Sequence, residues 1–500
     1  MNILLRLHGF RCFLGLLGLL LAGSARPAAG QGPGAAYVHV AAGSDFTFAI
    51  QANGTLWAWG NNFFGQLGDG TTIVRTAPVA VAEPATAAPG SRWVRIFARG
   101  SGSRVFGLRS DQTLWQWGAN QLRPVQEPLA ASLPSGATLV DLATSTGHFL
   151  ALYSDGSLLS WGDNRWGQLG QGVPAAAALP TPAPVVTPTT AAAGTRWTAI
   201  VAYGSYSFAT RSDGTLWSWG YAGAQGSIPV LGHPVVFTGC FVPEQVPHPA
   251  GAAPGTGWVA VKPGYNHALG LRSDGTLWAW GHNSSGAMGV GFGVSHSAAP
   301  MQVPLPAGVA AGVGWQLIDA GADTSLGILT DGTLWAWGSN SHGQLGVNIS
   351  NNSVPYPLQE YNQETWTQLE LGIYHTVALS RGRVHVTGGG SIGQLGLGNG
   401  TSRMNFLVRV VGLPLAVADR SPTPRAAAAF PNPAAGGESV VVEEAARSTR
   451  AEFLNSQGQV VAVVSVRNAR MNIPPLAPGL FLLRFYAGNR YLLSSKLHVR

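Results

Sequence analysis

The sequence predicts an all-β chain, a seven-bladed β-propeller followed by a small β-sandwich. Three observations carry the prediction. A two-tryptophan phrase, DGTLWAWG at 274–281 and again at 331–338, recurs in seven variants. Only 10% of the 500 residues are charged, whereas Gly (68), Pro (33) and Trp (17) abound, a balance that disfavours helices and favours turn-rich sheet. The last seventy or so residues drop the phrase and alternate apolar positions between Gly-containing turns.

The chain opens on a targeting segment. Arg6 and Arg11 precede an apolar run, CFLGLLGLLLAG at 12–23, and small residues follow. The run is short for a membrane span and nothing comparable comes later. Residues 1–30 therefore read as a secretory signal peptide, cleaved after Ala25 or Gly30, with no integral membrane span expected once it is removed. Cys12 leaves with it. The one remaining cysteine, Cys240, excludes an internal disulfide framework and a cysteine zinc site, and reads as a small buried apolar residue.

The net charge of +7 belongs to the ends. Between residues 26 and 425 there are nineteen basic and eighteen acidic side chains, with no Lys/Arg run. The electrostatic footprint of a nucleic-acid binder is missing, so no nucleic acid is expected as a partner.

Residues 31–415 form the repeat region. The glycine that closes each phrase falls at Gly60, Gly118, Gly162, Gly220, Gly281, Gly338 and Gly388. Upstream stands a short strand, YVHV (37–40) or WVRI (93–96), WTAI (197–200), WVAV (258–261), WQLI (315–318) and WTQL (366–369) in later units. A second strand follows, as in GYNHALGL (264–271). Downstream comes GQLG at 65–68, 167–170, 343–346 and 393–396, or GAMG at 286–289. The second unit lacks this element, and the fourth is expected to replace it with a long loop, 221–243.

Each unit thus reads as three or four strands. The Asp-Gly or Asn-Gly before Thr-Leu-Trp predicts a type I′ hairpin turn. Period-two geometry puts Trp278 and Trp280 on one face and Leu277 and Ala279 on the other, so both faces are apolar and each sheet must be sandwiched by its neighbours. Radial repetition meets that need. The cementing role falls to Trp57, Trp59, Trp115, Trp117, Trp161, Trp217, Trp219, Trp278, Trp280, Trp335 and Trp337. The last blade is expected to close the ring by mixing strands from both ends of the region.

The combined pattern W-x-x-I, G-x-x-H-x-x-A-L, D-G-x-Φ-x-x-W-G and G-Q-L-G resembles the regulator of chromosome condensation repeat, whose members form seven-bladed propellers. That family's precedents include nucleotide exchange on a small GTPase and chromatin binding. An exported chain without a basic patch meets neither partner. A secreted bacterial β-lactamase inhibitor shares the propeller class, which makes inhibition of an extracellular enzyme a second option.

After a linker at 416–429, residues 430–500 form the expected β-sandwich. The Pro-Asn-Pro opening (431–433), the Asn-x-x-Gly turn at Asn455–Gly458, the strand PGLFLL (478–483) and the closing Lys-Leu-x-Val (496–499) are similar to the C-terminal sorting domain of type IX secretion cargo. That resemblance implies the type IX secretion machinery as a partner. It also implies a secreted or surface-attached protein of a Gram-negative, Bacteroidota-type bacterium.

No catalytic residue, metal site or cofactor is expected. Residues 389–393 satisfy G-x-S-x-G and 388–393 satisfy G-x-G-x-x-G, but neither stands where a strand-to-helix turn or a βαβ unit is predicted. His148, His267 and His375 share one repeat slot, filled elsewhere near Phe46, Ser207 or Thr324, and read as neutral imidazoles bonded to neighbouring backbone groups. Asp155, Asp213, Asp274 and Asp331 read as turn formers rather than calcium ligands.

Binding by the rim is the better expectation, because propeller loops vary freely on a rigid frame. The two positions before each GQLG differ most, from Phe63-Phe64 through Arg165-Trp166 to Ser341-His342. Phe63, Phe64, Trp166, Tyr221, His233, Phe237 and His342 are the candidate contacts. The function expected is a non-catalytic scaffold that binds another protein or a surface component. A polysaccharide-binding, lectin-like role is a further option.

Overall fold

The computed structural model describes residues 36–410 apart from 101, 129–135, 173–177, 222–229, 234–238, 350, 361–363 and 399–402, together with the strands of the C-terminal part. Residues 1–30, expected as a signal peptide, residues 416–429, expected as a linker, and Phe237 lie outside the described residues. The chain divides into two compact units, Met1–Val417 and Ala418–Arg500.

Seven four-stranded antiparallel sheets make up the first unit, at 37–80, 93–126, 139–184, 197–245, 258–303, 315–359 and 366–409. Blade 1 shows the plan: Tyr37–Ala42, Phe46–Gln51, Leu56–Gly60 and Arg75–Ala80, paired in order. First strands of successive blades touch one another and so surround the axis. The fold is a seven-bladed β-propeller. Among the described residues of the second unit there is a four-stranded antiparallel sheet ordered Val460–Ser465, Arg450–Leu454, Gly479–Ala487, Arg490–Val499, and a pair, Ser439–Val441 with Arg470–Asn472.

The tryptophan phrase cements neighbouring blades through both faces. Trp278 and Trp280 join the apolar cluster shared with blade 4, while Leu277 and Ala279 join the one shared with blade 6. Trp57 and Trp335 are half-buried; the other nine assigned tryptophans are buried. Truncating such a core tryptophan costs about 3–5 kcal/mol. Their indole N–H groups are placed as carefully as their rings. The second tryptophan of the phrase donates backwards to a carbonyl of the preceding blade: Trp117 to Gln66, Trp219 to Gln168, Trp337 to Ala287, each at 2.9 Å, and Trp59 to Gln394 at 3.0 Å. In four blades the first tryptophan is satisfied within its own hairpin. Trp278 Nε1 donates to Thr276 Oγ1 (2.9 Å), whose hydroxyl donates to Asp274 Oδ1 (2.6 Å), and the same relay runs through Asp111, Asp213 and Asp331.

Those hairpins are not type I′. Only the glycine has positive φ (Gly214 +78°, Gly275 +78°, Gly332 +84°), and the bonds Gly275 N to Arg272 O and Arg272 N to Thr276 O define a three-residue loop. A type I turn followed by one left-handed glycine leaves the aspartate in an ordinary conformation. Its carboxylate is then free to take the Thr N–H and hydroxyl.

Ring closure also differs from the expectation. Blade 7 uses four consecutive strands, 366–371, 375–380, 383–389 and 403–409, and none is borrowed from the start of the region. Blade 1 already owns its innermost strand, so an exchange would leave that strand unpaired. The ring is sealed by the bond that joins interior blades. Tyr37 N donates to Gly382 O (2.8 Å), as Trp258 N does to Gly214 O and Trp315 N to Gly275 O. Gln368 adds a two-way clamp on Val40, through Val40 N to Oε1 (3.1 Å) and Nε2 to Val40 O (2.8 Å).

Two further expectations are corrected. Blade 4 does keep the GQLG slot, as Val230-Leu231-Gly232. Leu231 is buried, Gly232 has φ +80°, and Trp280 Nε1 reaches Val230 O. The histidine slot pairs with the closing glycine, and in blade 4 Tyr206 fills it, next to Ser207. The three histidines bond hydroxyls of the next blade rather than backbone: His148 to Ser207 (2.9 Å), His267 to Ser325 (2.8 Å) and His375 to Thr47 (3.0 Å).

Candidate functional site

Strand alternation decides which loops share an end of the propeller. Turns between first and second strands and loops between third and fourth strands emerge together, because the third strand ends opposite the start of the second (Phe46 with Gly60, His375 with Gly388). The DGT hairpins and the inter-blade connections occupy the other end. On the first end stand Phe63 (61% exposed), Phe64 (50%), Trp166 (39%), Tyr265 (61%) and Tyr374 (43%).

A fixed frame holds these side chains outward. A buried asparagine at the start of the loop ties it together: Asn62 Oδ1 accepts from Leu67 N and its Nδ2 donates to Thr71 O and Ile73 O. Asn164, Asn283 and Asn340 accept the equivalent bond from Leu169, Met288 and Leu345. The buried glutamine of GQLG then accepts from the N–H two residues earlier, Gln66 from Phe64, Gln168 from Trp166, Gln344 from His342. With the loop frame bonded by its asparagine and glutamine, and the Phe64 carbonyl by Asn120 N of blade 2, the Phe63 and Phe64 side chains are left exposed. Both are available to a partner.

Aromatic contacts link the display between blades. Trp166 meets Tyr221 with ring centroids 4.9 Å apart, and His342 meets Tyr374 at 4.3 Å. Tyr221 and His342 are half-buried by these contacts. A polar cleft of about 380 Å³ is lined by Thr146, Asp163, Arg165, Ser205, Tyr203 and Tyr265 among others. Arg165 is held by two bonds to Asp163, and that pairing keeps the Asp163 carboxyl below its ordinary range. His233 is not on this surface: it is buried, with Nδ1 3.5 Å from Glu244. A rim role does not suit it. The sequence reading also missed Tyr265 and Tyr374, which stand one and two residues after the glycine of the G-x-x-H turns Gly264–His267 and Gly372–His375.

The axis itself carries charges that sequence reasoning passed over. Arg99 of blade 2 spans it to Asp319 of blade 6 (Nη1 to Oδ1 2.6 Å) and also donates to Ala320 O. Lys262 stands 3.8 Å from the same carboxylate, whose other oxygen accepts from Leu371 N (2.8 Å). Burial and the adjacent Asp319 push the Glu370 carboxyl up to about 7, against the pull of Lys262 and Arg99. Lys262, Asp319 and Glu370 each lie four residues after the tryptophan that opens the first strand, so the repeat frame did contain the signal. These groups satisfy one another and brace the channel.

The fold and the framed loops define a class: a closed repeat propeller that presents variable side chains from an internally bonded scaffold. A profile described as the RCC1-like domain matches residues 121–463, and profiles of the regulator of chromosome condensation (RCC1) repeat match 37–66 and 53–101. The chain belongs to the RCC1-like domain family. It is similar to the ultraviolet-B receptor UVR8 of Arabidopsis thaliana, 26% identical over 377 residues, covering 73% of this chain and 80% of that protein. Similarity to the probable E3 ubiquitin-protein ligase HERC6 of Homo sapiens is 29% over 286 residues, 56% of this chain but only 26% of that protein. Among solved structures, yeast RCC1 (Prp20) bound to Kap60 superposes with a TM-score of 0.60 at 20% identity, covering 79% of this chain and 92% of that one. Human WBSCR16 gives 0.59 at 21%, covering 69% and 87%. At these identities the superpositions establish the fold.

Proposed function

We propose that this chain is an exported, non-catalytic scaffold that binds another protein through the propeller end bearing Phe63, Phe64, Trp166, Tyr265 and Tyr374. One observation carries the reading. Large aromatics that the fold does not need are held outward on one end by loops whose own polar groups are already satisfied. Aromatic anchors on a rigid frame are the features that concentrate binding energy at protein interfaces. Yeast RCC1 (Prp20), seen bound to Kap60 and described with binding properties to Gsp1p and histones, supports protein recognition as a use of this scaffold. Those particular partners are not carried over.

The domain plan belongs to the same proposal. Residues 1–30 act as signal peptide, 31–415 as the binding propeller, 416–429 as linker, and 430–500 as a β-sandwich sorting domain read by the type IX secretion machinery. The protein then resides at, or is released from, the surface of a Bacteroidota-type cell. Inhibition of an extracellular enzyme is one form such binding can take. Glycan binding is the competing reading, favoured by the polar cleft lined by Arg165 and Tyr265.

The test uses the full chain displayed by its native cell. Surface cross-linking followed by mass spectrometry is compared between wild type and the Phe63→Ser/Phe64→Ser/Trp166→Ser variant, with a glycan array in parallel. The expected result is a protein cross-linked by wild type and reduced at least tenfold in the variant. An unchanged cross-link sinks the aromatic end as the interface; a glycan signal that the variant abolishes replaces the protein reading. Deleting 430–500 is expected to trap the chain inside the outer membrane, and undiminished surface exposure would refute the sorting assignment.

A further inference from the structure

Blade 4 departs from the repeat at three separate register positions, and the three departures meet in space. The residue after the Leu-Gly of the GQLG slot is His233, where other blades have Asp69, Gln171, Val290, Val347 and Leu397. The residue paired with the closing glycine is Cys240, where others have Arg75, Gln121, Leu179, Ser297, Val354 and Met404. Glu244 pairs with Ser218 in a slot otherwise filled by Val79, Val125, Ala183, Met301, Leu358 and Val408. The repeat asks for an apolar side chain at that last slot in every other blade. Here it holds a carboxylate.

We propose that His233, Cys240 and Glu244 form a binding site for one zinc-like divalent transition-metal ion. A donor atom from each lies within 4.8 Å of the others, and the His233–Glu244 pair already stands at 3.5 Å. Tetrahedral coordination at about 2.0–2.3 Å asks for donor separations of about 3.5 Å, so closure needs a convergence on the order of 1 Å. Cys240 and Glu244 sit on one strand, Gly239–Gln245, across the register break opposite Ser218 and Gly220, which is the irregular stretch able to supply that movement.

The donor set selects the ion. An imidazole nitrogen and a thiolate favour zinc, cobalt or copper over magnesium or calcium, which prefer all-oxygen cages. On binding, the Cys240 S–H bond breaks, its electron pair forms the S–metal bond and the proton leaves to solvent. Thiolate and carboxylate together then neutralise the dication, which suits a pocket where His233 and Cys240 are 4% and 5% exposed. Glu244, half-exposed, provides the entry path. Three protein ligands leave a fourth position for water or for a group of a partner. The ion would tie the His233 turn to the outer strand of blade 4, where Gly239 already lies against the Trp166 backbone.

The test is titration of the untagged, metal-depleted full chain, in a Cys12→Ser background, with Co²⁺. The expected result is one equivalent bound with near-ultraviolet thiolate-to-cobalt charge transfer, displaced by Zn²⁺ and absent in Cys240→Ser. Glu244→Gln is expected to keep the band and weaken affinity at least tenfold. Circular dichroism of the metal-free variants, matching wild type, shows that loss of the band is loss of a ligand rather than of the fold. Absence of a charge-transfer band at millimolar Co²⁺, a band that survives Cys240→Ser, or equal affinity in Glu244→Gln would each overturn the site.

Discussion

Mild acid should weaken the propeller through the three inter-blade histidines. In each case the partner hydroxyl has already given its proton away: Ser207 donates to Gln168 O, Ser325 to Ala287 O and Thr47 to Gln394 O. The hydroxyl oxygen therefore accepts, and the imidazole donates from Nε2. Its Nδ1 is buried and has no hydrogen-bond partner among the described residues. A second proton would face nothing. Burial accordingly pushes His148 and His375 down to about 4 and His267 to about 3, from an ordinary 6.5. The unfolded chain takes up protons from pH 6.5 downward while the folded chain does not, so stability is complete above pH 6.5 and falls as pH drops. At pH 5 each histidine removes about 2 kcal/mol, about 6 kcal/mol for three. Glu370 works in the opposite direction. Its folded value near 7 lies above the ordinary 4.5, so its contribution grows as pH falls from 7 toward 4.5 and returns about 2 kcal/mol by pH 5. His39, packed against Ile96 of blade 2 and likewise pushed down to about 4, removes about 2 kcal/mol more. A net loss of about 6 kcal/mol is a large share of a typical domain's 5–15 kcal/mol. Urea melts of the full chain at pH 7, 6 and 5 measure it. His267→Gln keeps a donor toward Ser325 but cannot titrate, and should recover about 2 kcal/mol of the loss at pH 5. A midpoint that does not move between pH 7 and 5, or a variant that loses as much as wild type, would refute the buried-neutral assignment.

Two further outcomes follow from the turns. Gly118 has φ +81° and a Cβ there would stand 1.9 Å from Ser103 O, so Gly118→Ala should cost about 2–4 kcal/mol in thermal or urea melts; a near-neutral result would mean that the blade 2 turn adjusts freely. Asn53→Asp should stabilise blade 1 by about 0.5–1 kcal/mol, because Trp57 Nε1 is buried without a partner there and Asn53 accepts only from the Thr55 N–H, lacking the hydroxyl relay of the Asp-Gly-Thr blades. Unchanged stability would show that the carboxylate does not organise the threonine.

The blade count and the two-faced tryptophan strand were legible because they rest on period-two geometry and on spacing, which a linear pattern preserves. The turn type was misread because Asp-Gly is compatible with two hairpin geometries, and the choice between them is made by the threonine after it, whose N–H and hydroxyl both need the carboxylate. The GQLG slot of blade 4 was hidden by Val230 in place of glutamine. Only Leu231 and Gly232 are demanded by packing, and the indole of Trp280 needs a carbonyl, which any residue supplies. Arg99 escaped notice because its partner lies 220 positions away across the axis. A repeat frame marks which positions correspond, but not which of them face one another through the centre. On the rim, the positions before GQLG were readable as variable; their exposure required knowing that Asn62 and Gln66 complete the loop without them.

These particulars explain how one scaffold can separate stability from recognition. Several blades hand polar obligations to a neighbour: five send an indole to a carbonyl behind, three an imidazole to a hydroxyl ahead, and four seams, including the one between blades 7 and 1, share the same backbone bond. The loops join neighbouring blades through their backbone, as where Asn120 N donates to Phe64 O, and not through the exposed Phe63 and Phe64 side chains. Substitution at Phe64 or Trp166 should therefore alter binding with little change in melting temperature, whereas substitution at Gln66 or Gln168 should alter both. Each glutamine is buried, presents the aromatic through its side chain and receives the next blade's indole on its carbonyl. A variant such as Gln168→Ala leaves Trp219 bonded to the backbone but frees the Trp166 N–H, at a cost of about 1–2 kcal/mol. If it left both the melting temperature and the Trp166 environment unchanged, measured by indole fluorescence, the frame would not be what holds the display in place.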